Sequence, residues 1–153
     1  MKLAEALQER ADLNRKISQL RVRLVNNALV QEGSEPAEDP KELLVELDSS
    51  IERLRWLVAA INHTNCRTVI DGQSLTQIIA QKDALTTQVS AYRDLIDHAS
   101  AKVDRYMRSD IRVMSTVDVR ELQKKADGLS KRIRELDNKL QECNWTTDLL
   151  DLT

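Results

Sequence analysis

Apolar residues return every three or four positions along most of this chain, the spacing of helices that dock a narrow stripe against other helices. The longest run is Leu75, Ile78, Leu85, Val89, Tyr92, Ile96, Ala99, Val103 and Tyr106. Lys82 is its polar interruption, and a lysine stem can lie along an apolar seam with its ammonium in water. A first helix over about 2–26 carries Leu3, Ala6, Leu13, Ile17, Leu20 and Leu24, with Arg10 in one seam position. A second, over about 40–63, carries Leu44, Leu47, Ile51, Leu54, Val58 and Ile61, with Leu43 and Leu57 widening the stripe. The long run gives a third helix over about 74–106. Val119, Leu122, Ala126, Leu129, Ile133, Leu136, Leu140 and Cys143 give a fourth over about 118–144.

The helix starts are legible as caps. Asp39 precedes Pro40, which suits a first helical position, and Glu42 completes a capping box. Ser74 with Gln77, and Asp118 with Glu121, repeat that signature. Between helices, Glu32–Asp39 reads as an acidic connector and Asp71-Gly72 as a tight turn. Ala28–Gln31 and the stretch holding Ile111, Val113 and Met114 have a strand-like pattern. In an up-down-up-down order those two loops fall at one end, where a small two-stranded ribbon is expected. The fold class is mainly α, a single all-helical domain over 1–153, built as an up-down bundle or as extended hairpins. Either arrangement leaves apolar stripe to bury, so self-association is expected.

Composition sharpens this picture. Hydrophobic residues make up 41% and charged residues 31%, with three Gly, two Pro and no Phe. The core is therefore aliphatic and slender, suited to helix–helix seams. Net charge is −2 with both signs mixed along the helices, so no nucleic-acid partner is expected. Two cysteines far apart in sequence are too few for a secreted disulfide framework. The amphipathic start, MKLAEALQER, lacks the pattern of a signal peptide. No stretch is long and apolar enough for a membrane helix. These features lead us to expect a cytoplasmic protein with no membrane association.

Candidate chemistry is sparse. No phosphate-cradling loop, nucleophile elbow or metalloprotease motif is present. His63 and Cys66 could share a helical face, but zinc needs three or four ligands, and neither a metal nor another cofactor is expected. The most varied polar stretch gathers Asn62, His63, Thr64, Asn65, Arg67, Thr68 and Asp71. It is a candidate small-ligand site, weighed against residues that tie down a turn and satisfy helix-end carbonyls. Trp56, off the second stripe, and Trp145, in the apolar tail, are candidate interface residues in a chain with 3% aromatics.

Several segments resemble a family of small bacterial proteins of unknown function. They are MKLAEALQERADLNRKI at the start, NNALVQEGSEPAEDP at 26–40, INHTN at 61–65, SLTQIIAQKDALTTQV at 74–89, and MSTVDVRELQKKADGLSKRIRELDNKLQECNW at 114–145. Some members carry the label septicolysin, so the resemblance implies a membrane-active, pore-forming toxin as an alternative. It supplies no catalytic residues. The residues themselves point to a non-enzymatic scaffold or partner-binding module whose protein partner the sequence does not specify.

Overall fold

A computed structural model describes residues 1–101 and 113–152. It is mainly helical, with α1 at Leu3–Asn26, α2 at Pro40–Arg67, α3 at Leu75–Ser100 and α4 at Val119–Thr146. A short antiparallel ribbon joins α2 to α3, pairing β1, Val69–Ile70, with β2, Gln73–Ser74. The chain divides into two compact units, Met1–Leu75 with Gln141–Thr153, and Thr76–Leu140.

In the first unit, α1 and α2 pack as an antiparallel hairpin. One flank is an ion-pair ladder. Arg53 donates to the Glu9 carboxylate at 2.6 and 2.8 Å, Lys16 meets Glu46 at 3.0 Å, and Arg23 grips Glu38. Glu9, Lys16 and Arg23 step by seven along α1, and the partners run backwards along the second strand of the hairpin. Like positions facing across an antiparallel helix pair give this pattern.

The ladder fixes which line of α2 faces α1, and it differs from the stripe expected from sequence. Leu43, Ser50, Leu57 and Thr64 form the buried line, spaced by sevens. Leu47, Leu54 and Ile61 stay beside it, half-buried or buried. Leu44 and Ile51 are 47% and 46% exposed. Two hydroxyl residues sit on the buried line because each satisfies itself within the helix. Ser50 donates to the Glu46 carbonyl at 2.7 Å, and Thr64 to the Ala60 carbonyl at 2.8 Å.

The ribbon also differs in place. Ala28–Gln31 forms no strand, and Val113 and Met114 form none. Ile111, and the third helix as expected beyond residue 101, lie outside the described residues. The ribbon instead forms where local turn chemistry dictates. Asp71 and Gly72 both have positive φ, +50° and +80°, the requirement of a two-residue hairpin loop that Asp-Gly meets at low cost. Below it, the Leu75 N–H donates to the Thr68 carbonyl at 3.0 Å.

The tail docks on the chain's own start. Leu3 N–H donates to the Thr147 carbonyl and Leu149 N–H to the Met1 carbonyl, both at 2.9 Å. Lys2 pairs with Asp148 at 2.8 Å. In the second unit, Val89 and Ile96 of α3 and Ala126 of α4 form a buried cluster, flanked by Tyr92, Val119, Leu122, Leu129 and Ile133. Lys82, the polar interruption of the long stripe, pairs with Asp137 of α4.

Arginine and lysine partners hold several carboxyls below their usual range: Arg53 for Glu9, Arg23 for Glu38, Arg55 for Glu52 and Lys2 for Asp148. A carboxyl whose pKa is depressed by folding stabilises the fold above its unfolded value, and that contribution is lost as pH falls through the folded value. Glu9→Gln is therefore expected to lower the urea midpoint at pH 7. The variant and the parent should converge well below pH 4.5, the ordinary value for Glu9. A gap of equal size at both pH values would refute a role for the charged pair.

Candidate functional site

The polar stretch expected at a loop is mostly helix, because α2 runs on to Arg67. Helical geometry turns its side chains in different directions. Thr64 points inward and is fully buried, its hydroxyl donating to Ala60 and accepting from the Leu150 N–H at 2.9 Å. Asn62, Cys66 and Arg67 are exposed, while His63 and Asn65 are half-buried. Thr68 caps the helix, its N–H donating to the Thr64 carbonyl at 2.9 Å. Asp71 lies in the hairpin loop. Thr64 and Thr68 thus serve the fold, and no cluster of three or more His, Cys, Asp or Glu suited to a metal is found among the described residues.

The two tryptophans part company. Arg53, already paired with Glu9, lies over the Trp56 ring at 4.8 Å, so that half-buried ring completes a contact within the chain. Trp145 is 60% exposed.

A different region stands out on physical grounds: the end of the α1–α2 hairpin. Val22, Val25, Leu29, Val30, Leu44 and Val45 are all large, apolar and exposed there, with Leu29 at 90% and Val25 at 75%. Shallow grooves of about 390 and 480 Å³ lie on either side of Val22, sharing Ser18 as a wall. Concentrated exposed apolar surface on a soluble face is the usual mark of an interaction site.

The connector bearing Leu29 and Val30 is tied at its base. Asn27 donates its side-chain amide to the Arg23 carbonyl at 2.8 Å and accepts from the Glu38 N–H at 3.0 Å. Arg23 forks onto the Glu38 carboxylate, with Nε at 3.0 Å. At the far side, the Ser34 N–H donates to the Gln31 carbonyl at 2.9 Å, with Gly33 at φ +81°. Only glycine adopts that φ without strain. These bonds fix the loop ends, which lowers the ordering entropy that binding through the loop would cost.

Charges around this surface are of both signs. Arg21, Glu32 and Glu35 are exposed and take part in none of the ion pairs among the described residues. From sequence, Val22 and Val25 belong to the first helix outside its seam, Ala28–Gln31 to a strand-like piece and Glu32–Asp39 to an acidic connector. The signal that marks it is that Ser18, Val22 and Val25 lie on the opposite side of α1 from the seam, with Leu29 following in the loop.

The model of a family of unknown function, DUF6847, matches residues 10–149. The chain belongs to DUF6847. A crystal structure described as a functionally unknown conserved protein from Corynebacterium diphtheriae is similar to this DUF6847 chain, with 42% identity and a TM-score of 0.93. That likeness covers 98% of this chain and 99% of the other. No curated protein matches the chain. The DUF6847 match and the solved structure both stop at unknown function, so the septicolysin label implied by the resemblance is not supported. No described helix is long and apolar enough to cross a membrane.

Proposed function

We propose that this DUF6847 protein is a non-enzymatic helical binding module that works through the α1–α2 tip, associating with itself or with a protein partner. The observation that carries the reading is the exposure of Leu29, at 90%, on a loop whose ends are tied by Asn27, Arg23 and Glu38. A leucine held out in water on an ordered loop contributes nothing to folding and is suited to burial in a complex. The proposed setting is a bacterial cytoplasm, where an exposed thiol such as that of Cys66 stays reduced.

Leu29→Asp tests this directly. Because the residue is exposed, the substitution is expected to change the unfolding free energy by less than about 0.5 kcal/mol. It should abolish association, read by sedimentation velocity of the purified chain and by quantitative recovery of partners from lysate. A Leu29→Asp chain that associates as well as its parent in both assays would sink the proposal.

A further inference from the structure

Gly128 stands in the middle of α4 for no reason internal to the fold. Its backbone is ordinary helix, since the glycines with positive φ are Gly33 and Gly72, and a Cβ there would meet nothing within 4 Å. Glycine weakens a helix interior relative to alanine because it loses more backbone freedom on folding. What the missing side chain leaves is part of the floor of a groove of about 350 Å³ in the second unit, lined also by Gln88, Tyr92, Lys125 and Leu129.

Cations ring that spot. Residues three and four apart are neighbours on a helix surface, and around Gly128 those positions are Lys124, Lys125, Lys131 and Arg132, all exposed. Lys124 and Lys131 take part in none of the ion pairs among the described residues. Asp127 is spaced to meet either of them, yet its carboxylate accepts from the Gln123 amide at 3.0 Å. Lys125 lies 4.0 Å from Glu121 and Arg132 lies 3.7 Å from Glu135, with all four side chains more than half exposed. Water screens such pairs, so they neutralise little. Residues 119–135 hold six Lys and Arg against three Asp and Glu. The surplus is a property of the unit: Thr76–Leu140 has 13 Lys and Arg against 10 Asp and Glu, whereas the first unit has 10 against 15.

We propose that this groove is an anion site that seats a chain of linked phosphates over Gly128, with Lys124, Lys125, Lys131 and Arg132 closing on it. A phosphate ester carries a charge of about −1.5 to −2 at neutral pH, so about two or three linked phosphates match four cations, where a single carboxylate does not. The bare backbone lets the anion come in where a side chain would stand. Flexible lysine stems can reach it from the turns on either side. The site belongs to the second unit and stands or falls independently of the α1–α2 tip.

Isothermal titration calorimetry of the full chain with inorganic triphosphate tests this. Saturable binding is expected, weakening as salt is raised. Gly128→Leu is the deciding variant, because it keeps every charge, improves helix propensity and fills the floor. It should weaken binding about tenfold or more while the melting temperature holds or rises. Lys124→Gln combined with Lys131→Gln should weaken it comparably. Lys41→Gln combined with Arg67→Gln removes the same charge from exposed positions of the first unit and should change affinity by less than about twofold. A parent chain that binds no triphosphate would overturn the proposal. So would a Gly128→Leu chain that binds as tightly as the parent, since diffuse attraction does not depend on the floor. A parallel titration with adenosine triphosphate separates the sources of the phosphate. Equal or weaker binding assigns the site to a free phosphate chain. Tighter binding assigns it to a phosphorylated organic ligand lying along Gln88 and Tyr92.

Discussion

Leu57→Ala is expected to lower the unfolding free energy by about 2–5 kcal/mol, the range for truncating a fully enclosed leucine. Leu44→Ala, one helical residue-line away, should cost less than about 1 kcal/mol. The contrast follows from exposure: Leu57 is 0% exposed and Leu44 is 47% exposed. Both are leucines of the same helix, so intrinsic helix propensity cancels between the two experiments. What remains is the lost apolar transfer and the cavity, which only the Leu57 site can have. Urea denaturation of the two variants therefore reads out the α2 frame. Equal losses at both positions would contradict the buried line through Leu43, Ser50, Leu57 and Thr64. A larger loss at Leu44 would restore the stripe that periodicity alone suggests.

That frame illustrates what periodicity can and cannot convey. The α1 seam through Leu3, Ala6 and Leu20 is legible because Lys2, Glu5, Gln19 and Arg21 beside it are polar. In α2, Leu43-Leu44 offers two adjacent starting points, and the buried line contains Ser50 and Thr64. Read as polar, these residues push the pattern onto Leu44 and Ile51. Their hydroxyls are in fact satisfied one turn back along the helix, a bond that hydropathy cannot register. The ion pairs decide the matter, since Glu9 can reach Arg53 only in one rotation of the two helices.

The ribbon teaches a related lesson. A ribbon was expected from the strand-like patterns at Ala28–Gln31 and around Val113 and Met114, yet the described ribbon forms at Asp71-Gly72, where two successive positive φ values are tolerated. Local turn chemistry outweighs strand propensity when each strand is only two residues long. The tip was illegible for another reason. Val22 and Val25 lie in a helix already assigned a complete seam to which neither belongs, so the spacing gives them no face of their own. Only the packing shows that they face away from it.

Thr64→Val is the second substitution with a large expected effect, about 1–3 kcal/mol, because it leaves polar groups without partners while preserving volume. Thr64 is fully buried, and its hydroxyl accepts from the Leu150 N–H at 2.9 Å, fastening the docked tail. Valine fills the same space but cannot accept. The Leu150 amide must then find water, and the rungs at Leu3–Thr147 and Leu149–Met1 lose the anchor next to them. Hydrogen exchange is expected to accelerate at Leu150 and Leu149 beyond what the global stability change requires, while the Val89–Ala126 cluster of the other unit changes only with global stability. Thr64→Ser separates the hydroxyl from the methyl: it should keep the Leu150 amide protected and cost only the lost methyl, about 1 kcal/mol. If serine and valine expose Leu150 equally, the hydroxyl is not what holds the tail, and the apolar contacts of Leu149 and Leu150 must do so instead.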